Sequence, residues 1–182
     1  FLGVDPSKNI SLLAKKKKIN TLINYFNFKS SKKIKKLYGT ADIIYGANVF
    51  NHVDDNLNFL DAAKYLLKDK GTLILEVPDL KSLVEKVGFD TIYHEHRHYY
   101  SEKSINKILS KKNFKIIKLE KIKYMAGSLR VFAKKSNQNN KSIKKFTYVK
   151  LNDFKSFKKE IANIIKEIQL FVKKNLKEKN SV

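Results

Sequence analysis

Short apolar runs of strand length alternate along this chain with lysine-rich segments of helical period, and that alternation restricts the fold more than any other feature. Phe1-Leu2-Gly3-Val4 reads as the end of a buried strand. Asp5-Pro6-Ser7 then opens a helix carrying Ile10, Leu12 and Leu13. A short strand is predicted at residues 21–25, and Ser30 and Ser31 open a helix that stops before Gly39. Residues 41–47 read as a buried strand, 48–55 as a loop, and 57–67 as a helix ended by Gly71. Residues 72–77 form the next strand, stopped by Pro78. Strands alternating with helices in this order predict an α/β fold with a parallel sheet and helices on both faces.

The second half closes that sheet. A short helix runs through Leu83 and Val84, and Ser101 caps another with Ile105, Ile108 and Leu109 on its inner side. Residues 114–119 and 129–133 are close enough in sequence to pair antiparallel about a turn at Gly127. Residues 136–150 read as a linker. The tail 151–182 holds an amphipathic helix whose stripe from Asp153 onward is Phe154, Phe157, Ile161, Ile164, Ile165, Ile168, Phe171 and Val172. A strand and a glycine-rich turn are expected before the first strand seen, so the chain reads as beginning in mid-fold.

At 182 residues with 42% hydrophobic content, the chain makes one domain, or one domain and part of a second. No apolar run reaches membrane-spanning length, and with no cysteine disulfides are excluded. A cytoplasmic location without membrane attachment is therefore expected. The net charge of +22 raises the question of a nucleic-acid partner. However, the lysines are spread along the chain and accompany abundant Asn and Ile, the usage of an A/T-rich genome. With no arginine-rich arm or aromatic RNA-binding signature, no specific nucleic acid is expected.

The chemistry is concentrated in Phe89-Asp90-Thr91-Ile92-Tyr93-His94-Glu95-His96-Arg97-His98-Tyr99-Tyr100, which holds three of the four histidines. Histidine is the side chain that most readily exchanges a proton near neutrality. A neighbouring carboxylate can orient the ring, and a phenol can donate to a developing oxyanion. The segment thus suits proton abstraction next to a carbonyl. If it is extended, His94, His96 and His98 share one face that could bind a metal, and a surface loop without chemistry is the third reading. Asp5, at the tip of a strand, is placed either to bind ribose hydroxyls or to start the following helix.

The order of strand-Asp, strand, strand-Asn loop, helix, strand-Pro and closing strand pair resembles the later part of a class I, Rossmann-like S-adenosylmethionine-dependent methyltransferase. Within that group, Phe89-Asp90-Thr91-Ile92-Tyr93-His94-Glu95-His96 resembles the signature of the sugar C-methyltransferases, which methylate carbon 3 of nucleotide-linked 4-keto-6-deoxy sugars. Gly3-Val4-Asp5-Pro6-Ser7, Ala47-Asn48-Val49-Phe50-Asn51-His52-Val53-Asp54-Asp55 and Gly127-Ser128-Leu129-Arg130-Val131-Phe132 are further matches. The likeness implies that residues 1–135 are a methyltransferase domain lacking its first strand and glycine-rich loop, with 151–182 opening a C-terminal domain. It further implies S-adenosylmethionine as cofactor, held by Asp5, Ala47 and Asn48, and a nucleotide-sugar substrate contacted by His94 and Arg130. Tyr93, Glu95 and His96 would carry the chemistry, with His96 as base and Glu95 orienting it or sharing the role. Zinc belongs only to the family's N-terminal cysteine domain, so no metal is expected here. The family has His-Gly-Gly-Ser-Leu-Arg where this chain has Met125-Ala126-Gly127-Ser128-Leu129-Arg130, so a substrate-facing histidine is expected to be lost. An oxygen or nitrogen methyltransferase of another metabolite, and a basic nucleic-acid-binding domain, are the alternative functions.

Overall fold

The computed structural model describes residues 1–124, 126–136 and 146–177. Position 125, most of the expected linker (137–145) and the last five residues (178–182) lie outside the described residues. The elements run β1 (Gly3–Asp5), α1 (Lys8–Lys16), β2 (Thr21–Ile23), α2 (Phe28–Tyr38), β3 (Ala41–Ala47), α3 (Asn56–Leu66) and β4 (Leu67–Pro78). They continue as α4 (Leu80–Glu85), a 3-10 turn (Phe89–Thr91), α5 (Glu102–Lys111), β5 (Phe114–Ile122), β6 (Ser128–Lys135) and α6 (Leu151–Lys177).

Local polar groups set most helix starts. Ser7 caps α1, Asp55 caps α3, and Ser101 with Ser104 forms a capping box on α5. At α2 the expected opening by Ser30 and Ser31 is corrected. Asn27 is the cap, and Ser30 is its reciprocal partner three residues on, so the helix begins earlier. Gly71 likewise does not end α3. Leu67 leaves the helix in an extended conformation (φ −65°, ψ 140°) and begins β4 directly, pairing with Ala41. The strand ladder supplies partners that a glycine terminus would otherwise have to provide.

The strands form two sheets. β1 and β2 pair in parallel, and a four-stranded sheet runs in the order β3-β4-β6-β5. β3 and β4 are parallel, whereas β6 is antiparallel to both of its neighbours. The expected β5–β6 pairing is present, and β6 lies inside the sheet rather than at its edge.

Leu73, Leu75 and Val77 of β4 alternate inward with Leu129, Val131 and Ala133 of β6. They meet Phe59, Leu60 and Ala63 of α3 and Ile105 and Leu109 of α5 in the main core. Full burial of each of these leucine, isoleucine, valine and phenylalanine side chains is worth about 1.5–3 kcal/mol. The opposite face of this sheet differs from the expectation of helices on both sides. Ile43 and Tyr45 of β3 stand there 60% and 58% exposed. Between the two sheets lies a cleft of about 590 Å³, lined by Val4, Phe26, Ile34, Ile43, Ile44 and Phe59 among others.

Residues Thr147 and Tyr148 clamp the start of the tail to α5. The Lys103 N–H donates to the Thr147 carbonyl at 3.1 Å, the Thr147 N–H donates to Glu102 Oε2 at 3.0 Å, and the Lys103 ammonium lies 4.8 Å above the Tyr148 ring. From there α6 packs against α4. It starts two residues before the expected Asp153 and leaves Ile165, Ile168, Phe171 and Leu176 exposed. Among the described residues, no helix is long and apolar enough to cross a membrane.

Candidate active site

Two loops meet beyond the last residues of β3 and β4. The first follows β3 from Asn48 to Asp55, and the second is the histidine segment between α4 and α5. They are stitched together at several points. The Arg97 and His98 N–H groups both donate to the Asn51 carbonyl, at 3.0 and 3.1 Å. The His98 Nε2–H donates to the Val53 carbonyl at 3.0 Å, and Arg97 pairs with Asp54 at 2.6 Å. Tyr100 makes a parallel bridge with Asp79, anchoring the far end of the segment beside β4.

The histidine segment is not a strand. After the 3-10 turn it runs irregularly, so the alternation that would put three histidines on one face does not occur. His94 is exposed, His98 is half-buried, and His96 is 6% exposed. Among the described residues, no three His, Cys, Asp or Glu side chains converge as a metal site would require.

His96 is held at both ring nitrogens. Nδ1 lies 2.9 Å from the Thr91 carbonyl, which can only accept, so Nδ1 carries the proton and Nε2 the lone pair. Tyr93 donates its hydroxyl to that Nε2 at 3.0 Å, the two rings lying 4.2 Å apart. Tyr99 approaches edge-on at 6.1 Å, and burial raises the pKa of its phenol, keeping it a donor.

The Thr91 carbonyl, and not the Glu95 carboxylate, therefore orients the ring, which corrects that part of the expectation. The Glu95 side chain is exposed and bonded to no described residue. Its backbone carbonyl instead receives the Nδ1–H of His52 at 2.7 Å. His52 lies 4.9 Å from His96, ring to ring. Two imidazoles thus stand side by side, each with Nδ1–H committed to a carbonyl and Nε2 as the basic nitrogen.

The expected cofactor positions lie at strand ends. Asp5 ends β1, and its Oδ1 accepts from the Ser7 N–H at 2.7 Å while Oδ2 bonds to no described residue. It thus helps shape the helix start and keeps one oxygen open. Ala47 ends β3 opposite Glu76. Asn48 follows in the left-handed region (φ 51°), donating its N–H to the Glu76 carbonyl. Its Oδ1 is buried without a partner among the described residues.

Arg130 sits on the open face of β6. Its Nε pairs with Glu76 at 2.5 Å and its Nη1 with Glu120 at 3.5 Å. None of these contacts is with the histidine segment. The Glu76 carboxylate is the main cause raising the pKa of the Arg130 guanidinium, and the Lys118 hydrogen bond is the main cause lowering that of Glu120.

Residues 1–119 match a family model described as a methyltransferase domain. This chain belongs to that methyltransferase-domain family. Over 132 residues the chain is 30% identical to the C-methyltransferase NovU of Streptomyces niveus, covering 72% of this chain and 31% of that protein. It thus spans about a third of the length of this curated relative. A solved S-adenosylmethionine-dependent methyltransferase from Anabaena variabilis superposes with a TM-score of 0.55 at 17% identity, over 74% of this chain and 67% of that one. The magnesium protoporphyrin IX methyltransferase of Synechocystis, with bound S-adenosylhomocysteine, gives 0.54 at 17% identity over 74% and 64%. These likenesses establish the class I, Rossmann-like methyltransferase fold.

Sequence reasoning passed over His52 and Asn51, which the structure sets against the histidine segment. His52 was legible as the fourth histidine, placed in the loop after a strand end. Asn51 carried no local signal, because its importance lies in burial. It is 0% exposed, and neither atom of its carboxamide has a partner among the described residues. A buried group left in that state costs about 1–3 kcal/mol.

Proposed function

We propose that this chain is the methyl-transferring part of an S-adenosylmethionine-dependent C-methyltransferase acting next to the ketone of a nucleotide-linked keto-deoxysugar. The carrying observation is the His96 ring, fixed by Thr91 at Nδ1, capped by the Tyr93 hydroxyl at Nε2 and flanked by His52. The likeness to NovU, a C-methyltransferase, supports transfer to carbon.

The chain's residues fit the cofactor. The open oxygen of Asp5 can accept from ribose hydroxyls, and the unpartnered Oδ1 of Asn48 can accept from an amino-acid end lying along Ala47 and Asn48. S-adenosylmethionine, when bound, supplies a methyl group made electrophilic by its sulfonium. His96 takes the proton from the carbon beside the ketone onto Nε2, and the C–H electron pair passes into the enolate. A positioned base contributes about 10²–10⁴-fold. As the ketone oxygen gains charge, Tyr93 turns its hydroxyl from Nε2 toward it, and such donors contribute about 10²–10³-fold. His52 accepts the proton at its own Nε2 or keeps His96 ready for the next turnover. Glu95 shares in holding the proton, and His94 and Arg130 bind the sugar nucleotide.

We further assign residues 1–135 to the methyltransferase domain, 136–150 to a linker and 151–182 to the opening of a C-terminal domain. The cleft between β1 and β3, where both strands turn a free edge, supports that assignment, because it is open to a further strand and its turn.

The test uses the full protein with a 4-keto nucleotide sugar in deuterated water. Exchange of the proton beside the ketone, followed by methylation at that carbon, is expected. Methylation at oxygen or nitrogen without exchange would sink the reading, and so would binding to nucleic acid that replaces any methyl transfer.

A further inference from the structure

The loop from Asn48 to Asp55 and the helix start after it hold buried amide atoms that bond to no described residue. Asn51 stands between Phe50, in the core, and His52, in the site, and is fully buried. Its carbonyl receives two N–H groups from the histidine segment, but its carboxamide, with two donor hydrogens and an acceptor oxygen, meets no described residue. At the first residue of the following helix, Asn56 Oδ1 is also sealed from solvent and without a partner among the described residues. Leucine, of the same branched shape, would occupy the position of Asn51 with no polar deficit. An amide there calls for another reason.

The unmet groups are complementary to ordered water. Amide hydrogens on Asn51 can donate to a water oxygen, and water hydrogens can serve the Oδ1 atoms. Buried waters take two to four polar partners of this kind. The position matters because the loop grips the histidine segment through three consecutive residues, by the Asn51 carbonyl, the His52 Nδ1–H and the Val53 carbonyl. The orientation of the His52 ring is therefore only as firm as the peptide units on either side of Asn51.

We infer that Asn51 is a positioning residue that holds ordered water within this loop and thereby fixes the His52 imidazole against that of His96. The inference rests on the reading of those two rings as the proton-transfer pair. Asn51 itself touches no substrate.

Asn51→Leu and Asn51→Ser in the full protein provide the test, with three readouts: the unfolding midpoint, two-bond proton–nitrogen NMR signals of the His52 ring, and exchange of the proton beside the ketone. Asn51→Leu is expected to unfold at the same temperature as the parent or higher. Exchange should slow by roughly 10-fold or more at unchanged KM, because small misplacements of a reacting group carry large rate penalties. Its His52 ring signals should shift or broaden. Asn51→Ser, which keeps a hydroxyl and leaves room for water, should recover much of the rate. Parental exchange and parental ring signals in Asn51→Leu would overturn the inference. An Asn51→Leu protein that fails to fold, or an Asn51→Ser protein as slow as the leucine variant, would reduce Asn51 to a structural role. Failure of the parent itself to exchange the sugar proton strikes at the proposed function alone, since the His52 ring signals still report on Asn51.

Discussion

At the scale of single residues, the site depends on which atom of each side chain is already committed. His96 has one nitrogen bound to a backbone carbonyl and the other to a phenol. Replacing it with alanine should lower turnover by about 10²–10⁴-fold. Cofactor affinity should stay within a few-fold, because Asp5 and Asn48 lie on other elements. Steady-state kinetics beside calorimetric cofactor titration separate the two effects. Near-parental turnover would move the base to His52 or Glu95. Tyr100 is a different case. Burial is the main cause raising its pKa, and its hydroxyl meets the Asn56 Nδ2 in the core. The folded state therefore keeps the phenolic proton after the unfolded chain begins to lose it near its ordinary value of about 10. Stability from this group is fully present below about pH 10 and falls as pH rises beyond it. Tyr100→Phe should cost about 1–3 kcal/mol at neutral pH, because the Asn56 amide N–H is left buried and unpaired. The deficit should narrow in alkali. Urea unfolding of both forms at neutral pH and near pH 11 reads this directly, and a constant gap would refute it.

At the scale of elements, short-range polar groups and long-range ladders compete, and the boundaries show which prevails. Asn27 opens α2 through a reciprocal bond with Ser30, so Asn27→Ala should destabilise by about 1 kcal/mol in denaturant unfolding. Gly71 was legible as a helix terminator, yet it lies inside β4 against Ala41 of the neighbouring strand. A Cβ there would come within 3.0 Å of the Lys68 carbonyl oxygen and 3.1 Å of that of Ala41. Backbone atoms cannot swing aside as a side-chain tip can, so Gly71→Ala should cost about 1–3 kcal/mol and shift the unfolding midpoint accordingly. A neutral effect would mean that the irregular β3–β4 register yields easily.

At the scale of the whole molecule, the described residues leave several surfaces uncovered, among them the edges of β1 and β3, the sheet face at Ile43 and Tyr45, and the apolar stripe of α6. These 182 residues by themselves should bind S-adenosylmethionine weakly. Asp5 and Asn48 offer a few hydrogen bonds worth roughly 0.5–1.5 kcal/mol each. A dissociation constant near 10 μM needs about 7 kcal/mol. Calorimetry of the isolated chain is the check, and micromolar binding would show that the site is complete without a glycine-rich turn. The net charge of +22 adds a second expectation, weak attraction to polyanions that disappears with added salt.

The sequence alone determined what is encoded within a few residues. Strand-length apolar runs, caps such as Ser7 and Ser101 and the amphipathic tail are set by side-chain period and by hydrogen bonds to near neighbours. The histidine segment was legible for the same reason, as a local concentration of titratable groups. Tertiary structure decided everything that needed a distant partner. It set β6 between β4 and β5, carried β4 back to Leu67, and left one face of the sheet open. It also turned His96 inward and His94 outward, where an extended segment would have aligned them, and brought His52 alongside from another loop. Period and propensity report how a residue relates to its own segment. Which ring it faces is fixed by strand pairing and loop-to-loop hydrogen bonds, whose partners lie tens of residues away.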